Sequence, residues 1–296
     1  MSVVSKNHLL FVFVDGIGLG EDAEYNPFAS ADTPTLDALL GGSLTAARAA
    51  FTASDKHFGK LDARLGVKGL PQSATGQASL LTGKNAAAHM GRHYGPYPGP
   101  TVKELLVSRT LFHDLPKSVL ANVYPPKFTE RARLNAVVYA AVQAGVSLRS
   151  FEDYQQGRAI SADLTGDYLT KAAGADPKTP FVMGQQLARM AQEQPFTMFD
   201  FWLSDEAGHR WQLTEAKALV SRLDSFLAGV LAARDNLTVL LTSDHGNLED
   251  KTRKTHTLAD VPLIVVGEGA PAFTHATSLT DIAPAVRRYL TQSPEN

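Results

Sequence analysis

The chain has 296 residues, 44% hydrophobic and 20% charged, enough apolar material for one large core or two modest ones and too much for disorder. A formal net charge of −2 gives no electrostatic reason to expect nucleic acid or an anionic membrane as partner. With no cysteine, thiolate metal sites, cysteine nucleophiles and disulfides are excluded, so any metal must be held by Asp, Glu, His and hydroxyl oxygens. No run approaches the roughly 20 apolar residues of a membrane span, and Leu9–Val14 is too short for a signal-peptide core. A cytoplasmic location is the expectation.

In chain order, Leu9–Val14 is a continuous apolar run, the pattern of a strand buried on both faces, and it delivers Asp15 just beyond its carboxyl end. Thr33-Pro34-Thr35 opens a short helix through Leu40, with proline at a tolerated early position. The segment GLPQSATGQASLLTG, 69–83, leads into a helix that ends at Gly83. Ser73 falls at or near its N-terminus, where it can cap the helix or where free N–H groups favour an anion. Lys84, His89, Arg92 and His93 form a basic cluster suited either to solvation or to an oxyanion. Thr101 to Glu104 reads as a capping box for a helix through Ser108. Val119–Tyr124 is a further strand, and Thr129–Gly145, Asp163–Ala173 and Thr179–Glu193 read as helices.

Phe196–Leu203 is an aromatic-rich strand followed by Asp205 and His209. Leu213–Ala233 repeats its apolar residues with a 3.6 period, a clear helix. Leu237–Ser243 is a buried strand ending at Asp244 and His245, and His256 precedes the apolar run Val261–Gly267. A last helix runs from about Thr280 to Tyr289. Strands alternating with helices predict an α/β fold with a doubly wound, mostly parallel sheet and helices on both faces. No repeat or linker interrupts it, so residues 1–296 are expected to form a single domain. In such a sheet the carboxyl ends share one edge, which gathers Asp15, Asp205, His209, Asp244 and His245, with His256 close by. Two metals about 4 Å apart take around six to eight oxygen and imidazole ligands, and the donors match that demand.

Five segments, in this order, resemble the alkaline phosphatase superfamily: VDGIG at 14–18, SATGQASLLTG at 73–83, DEAGH at 205–209, TSDHGN at 242–247, and THT at 255–257 followed by VPLIVVG at 261–267. Within it the chain is most similar to the metalloenzyme domain of cofactor-independent phosphoglycerate mutase and phosphopentomutase. That resemblance implies two divalent ions, Mn2+ or Zn2+, one on Asp205, His209 and His256 and the other on Asp15, Asp244 and His245. It makes Ser73 the nucleophile and a further metal ligand, with Thr75 as the second choice. Gln77 stands where relatives often carry histidine, which points to altered substrate contacts. Thr75, Gln77, Arg92 and His93 are the candidate substrate contacts.

The implied activity is phosphoester hydrolysis through a phosphoserine on a small phosphorylated substrate. A phosphomutase is the alternative, and a non-catalytic metal- or ligand-binding relative is the second. The mutases carry a large inserted cap, whereas the interval from Gly83 to Phe196 must first supply core elements. A small lid within 94–180 is therefore the most that is expected.

Overall fold

The structure, a computed structural model, describes residues 7–130, 133–174 and 176–291. Its centre is a seven-stranded sheet: β1 (His8–Val14), β2 (Phe51–Thr52), β3 (Lys56–Leu61), β4 (Val119–Leu120), β5 (Phe196–Phe201), β6 (Leu237–Thr242) and β7 (Val261–Val266). The order across the sheet is β2-β3-β7-β6-β1-β5-β4. β1 pairs in parallel with both β5 and β6, and β4 pairs in parallel with β5. The flank departs from the parallel pattern, since β7 is antiparallel to β6, β3 to β7 and β2 to β3.

The pleat of β1 explains why its apolar run is unbroken. Leu9, Phe11 and Phe13 enter one core cluster while Leu10, Val12 and Val14 enter another, and all six are fully buried. The first cluster is closed by the helices Ser73–Thr82, Pro100–Ser108, Ala136–Gln143 and Ile282–Thr291. The second is closed by Pro180–Gln192 and Leu213–Ala232, which pack on each other. Helices thus cover both faces, as the sequence pattern requires.

Several boundaries differ from the sequence expectation, each for a local reason. The helix expected from Thr129 begins at Ala136, because the Asn135 side chain accepts from Val138 N–H at 2.8 Å and caps it there. Part of that stretch, 131–132, lies outside the described residues. The helix expected from Asp163 begins at Asp167, because the Asp163 carboxylate accepts from the N–H groups of Thr165, Gly166 and Tyr168 and shapes a loop. Thr101 makes no capping box, for the helix already starts with Pro100 at its first position. The strand expected to reach Tyr124 stops at Leu120, leaving isolated bridges from Asn122 to Ile160 and from Val123 to Arg149. Finally, β5, expected to run to Leu203, ends at Phe201 and turns at once into a helix, Leu203–Arg210.

The antiparallel course of β7 decides where His256 sits. The carboxyl ends of β1, β5 and β6 open on one edge, and the amino end of β7 lies on that same edge. His256 therefore arrives just before its strand and still meets residues that come just after theirs.

Candidate metal centre

Asp15 leaves β1 through Gly16, whose φ of +71° is a left-handed value. A Cβ at Gly16 would lie 2.7 Å from Asp205 Oδ1, so glycine alone lets the β1 exit touch the helix Leu203–Arg210. Asp205 and His209 sit one turn apart on that helix and face the same way. Asp244 and His245 follow β6 directly, and His256 returns on the loop whose Gly246–Thr257 bridge holds it beside them. The helix Ser73–Thr82 presses in from the other side, since a Cβ at Gly76 would stand 2.8 Å from the Asp244 carbonyl oxygen.

The six residues converge. His245 Nε2 lies 3.4 Å from Asp15 Oδ1 and 3.7 Å from Asp244 Oδ2. Asp205 lies 3.4 Å from His209 Nε2 and 3.6 Å from His256 Nε2. Ligand-capable atoms of Asp15, Asp244 and His245 fall within 4.8 Å of one another, as do those of Asp205, His245 and His256. His245 thus belongs to both groups, and His209 joins the second through Asp205 and His256.

Two observations show that these donors suit cations. Asp15 Oδ1 and Asp244 Oδ2 are buried and have no hydrogen-bond partner. Burial pushes the Asp15 carboxyl well above its usual range, with the Asp244 and Asp205 charges adding to it, and burial together with Asp205 raises Asp244 to about 7. The second observation concerns tautomers. His209 Nδ1 lies 2.8 Å from the Lys254 carbonyl and His256 Nδ1 lies 2.7 Å from the Pro71 carbonyl, and carbonyls only accept. Both Nδ1 atoms therefore carry hydrogen, and the two Nε2 atoms face each other at 3.1 Å. Two lone pairs so placed repel unless a cation or a proton lies with them. Asp205, in spite of burial, is held below the usual carboxylate range by its bond to His209 and the charges of His245 and His256. That same bond raises His209. Burial lowers His245 and His256 to about 4, leaving both as neutral donors.

A second layer fixes these loops, and sequence reasoning did not single it out. The Glu249 carboxylate, 1% exposed, accepts from Gly18 N–H and Asn247 N–H at 2.8 Å each and from the Thr257 hydroxyl. It ties together the segments that bear Asp15, His245 and His256. Asn247 Nδ2 donates to Asp205 Oδ1 at 2.7 Å, and Lys251 Nζ donates to the Ala207 and Gly208 carbonyls of the ligand-bearing helix. The polar residues Asn247, Glu249 and Lys251, close in sequence to Asp244 and His245, were the available signal.

Ser73 is the first residue of its helix, and its Oγ lies 3.0 Å from His245 Nε2. Gln77 also reaches the centre, donating to Asp15 Oδ2 at 3.1 Å while its Oε1 has no partner. The other three candidate substrate contacts are not brought there. Thr75 is fully buried, and its hydroxyl bonds the Gln72 carbonyl and accepts from Tyr94 N–H, so it braces a loop. Arg92 lies over the Tyr94 ring, and His93 faces the Arg64 and Val67 carbonyls. A cavity of about 680 Å3 opens beside Ser73, with Asp15, Gln77, Asp205 and His209 among its lining. Asp200 also lines it, raised to about 7 by burial and held by Asn135 at 2.9 Å. Among the described residues no helix is long and apolar enough to cross a membrane.

The fold agrees with what the chain is similar to. The model of the metalloenzyme superfamily matches residues 6–294, and the chain belongs to that superfamily. A 2,3-bisphosphoglycerate-independent phosphoglycerate mutase of Dinoroseobacter shibae is 35% identical over 91 residues, 28% of this chain and 18% of that protein. The matched segment thus spans less than a fifth of that curated relative's length. Among solved structures, PH0037 from Pyrococcus horikoshii superposes with a TM-score of 0.60 at 12% identity, covering 99% of this chain and 100% of that one. The alkaline phosphatase from the Antarctic bacterium TAB5 gives 0.51 at 12% identity, covering 98% and 99%. The fold is alkaline-phosphatase-like.

Proposed function

We propose that this protein is a divalent-metal-dependent phosphoester hydrolase that works through a phosphoserine on Ser73. The observation that carries the reading is the Ser73 hydroxyl, 3.0 Å from the histidine shared by both ligand groups and open to the adjoining cavity. Asp15, Asp244 and His245 would hold one cation and Asp205, His209 and His256 the other, with Mn2+ and Zn2+ both suited to these donors. Such cations lower the pKa of a neighbouring hydroxyl and neutralise phosphoryl charge.

The residues of the chain do the rest. Ser73 Oγ, its proton passing to solvent, attacks phosphorus in line, the bond to the leaving group breaks on the far side, and the departing alkoxide takes up a proton from water. Water then attacks phosphorus, the Ser73 Oγ–P bond breaks, and inorganic phosphate leaves with the serine hydroxyl restored. In the first turn of the helix, Thr75 N–H is bonded to the Tyr94 carbonyl and Gly76 N–H to the Gln72 carbonyl. The N–H groups of Ser73 and Ala74 remain to meet phosphoryl oxygens, aided by the helix dipole. Gln77 keeps a free Oε1 for a substrate hydroxyl or a bound water.

The test is a panel of phosphoesters assayed with manganese and with zinc, together with mass-spectrometric trapping of phosphate on Ser73. Phosphate release without a Ser73 adduct under acid quench, or full activity in Ser73→Ala, overturns the intermediate. The likeness to a phosphoglycerate mutase supports a phosphomutase as the second reading. Incubation with 3-phosphoglycerate and pentose 1-phosphates separates the two: free phosphate marks the hydrolase, isomer without phosphate the mutase.

A further inference from the structure

The cavity beside Ser73 is far larger than a phosphoryl group needs, at about 680 Å3, and it falls in the roughly 300–1,000 Å3 range of pockets that enclose drug-sized ligands. Its walls have a particular chemistry. Four aromatic side chains are exposed among the described residues, and three of them, Tyr97, Tyr168 and Trp202, line this one cavity. They stand 41%, 58% and 38% open to solvent. They come from three separate places: the loop before the helix Pro100–Ser108, the helix Asp167–Ala173, and the turn between β5 and the helix bearing Asp205. Aromatic rings gathered about one concave site offer flat apolar surface to a ligand. Tyr124 lines the same cavity and is half-buried.

The cations near these rings argue against a small phosphoacid. Arg210 is exposed and ion-paired with Glu206 at 3.6 Å, and exposed Arg133 lies 5.9 Å from the Tyr97 ring centroid, placed over its face. Neither is a buried cation held ready for a carboxylate. An arginine over a tyrosine face extends the flat surface instead.

Because these rings line the same cavity as Ser73, we infer that the site takes phosphoesters whose leaving alcohol carries a flat ring, of aryl or nucleoside type. The ring stacks among Tyr97, Tyr168 and Trp202 while the phosphoryl group reaches Ser73. This inference rests on the hydrolase reading for its substrate, and its test keeps the two apart. The metal-loaded full chain is assayed with phenyl phosphate, 2-naphthyl phosphate and adenosine 5′-monophosphate against glycerol 3-phosphate and 3-phosphoglycerate. Binding of phenylphosphonate and methylphosphonate is measured by calorimetry on the same preparations.

In the wild type kcat/KM favours the ring-bearing esters at least tenfold, and phenylphosphonate binds at least fivefold more tightly than methylphosphonate. Tyr168→Ala and Trp202→Ala each lower both ratios at least fivefold, chiefly through KM, and Trp202→Phe restores most of the loss. Metal content and circular dichroism confirm that each variant is folded. Equal use of both ester classes, or variants that leave both ratios unchanged, overturns the inference. No phosphate from any ester, with the phosphonate ratio intact and sensitive to Trp202, overturns the hydrolase reading and leaves the ring subsite standing.

Discussion

The two ligand groups use the same kinds of side chain and behave differently as bare protein. Asp15, Asp244 and His245 are 7%, 0% and 0% exposed, and two of their carboxylate oxygens have no partner. Asp205 and His209 are more open and form an ion pair, which lowers one pKa and raises the other. The inner group thus sets two mutually repelling carboxyls beside a neutral imidazole, held together by the fold. The outer group can satisfy itself with a proton. Burial decides the difference: it removes the water that would otherwise screen Asp15 from Asp244. We expect the inner group to be a rigid, preformed cation site and the outer one to release its cation more readily.

The largest effect should come from Ser73, which bonds the histidine the two groups share. Ser73→Ala should lower kcat by about a thousandfold or more while elemental analysis still finds both cations. Thr75→Ala should spare the chemistry and act through the Tyr94 loop. The next change breaks the comparison directly. Asp244→Asn should empty the inner site and remove most activity, yet raise the melting temperature of the metal-free protein by relieving repulsion with Asp15 and Asp205. His209→Ala should weaken only the outer site and lower that melting temperature. If both variants shift it the same way, the contrast between the groups is wrong.

Glu249→Gln sharpens the contrast from the second layer. It removes one acceptor from a buried carboxylate that ties three ligand-bearing segments, so metal affinity should fall roughly 10–100-fold with little change in secondary structure. Competition with a fluorescent chelator measures it. The smallest effect is on stability against pH. Burial raises Asp244 and Asp200 in the folded chain to about 7, so their contribution is present at low pH and lost as pH rises through 7. His209, raised by Asp205, adds in the same direction. The chelated protein should therefore melt lower at pH 8 than at pH 6, by roughly 2–4 °C for each kcal/mol lost. Metal loading should flatten that slope, since a cation keeps the inner carboxylates ionised.

The sequence disclosed the strand-end ligands because each follows an apolar run whose burial is easy to read, as Asp15 follows β1 and Asp244 follows β6. It disclosed less where function depends on distant packing. The helix Leu203–Arg210 was hidden because its eight residues carry polar groups along most of their length, so no apolar period marks it. β3, with the sequence KHFGKL, alternates too poorly to announce a strand and is defined by its pairing with β7. Glu249 looks like a surface loop residue until the fold buries it. Thr75 misled for the opposite reason: a hydroxyl two residues from Ser73 points the other way on a helix, and there it meets the Tyr94 backbone. Tyr97, Tyr168 and Trp202 are far apart in the chain, and nothing local shows that they share a wall.

The central position of β1 has a consequence for how the chain is made. β1 is the first of the described strands, yet its neighbours are β5 and β6, so Leu9 finds Phe196 and His8 finds Leu237 only after the long stretch between them has been synthesised. Until then a segment of six consecutive apolar residues has no sheet to join, and such unpaired strands are prone to aggregate. Asp15 shares that delay, since Asp244 and His245, beside which it packs, emerge later still. A cation held by Asp15, Asp244 and His245 would therefore bind late. It can only lock a sheet that has already closed, and nascent chains truncated before β5 should depend on holding chaperones to remain in solution.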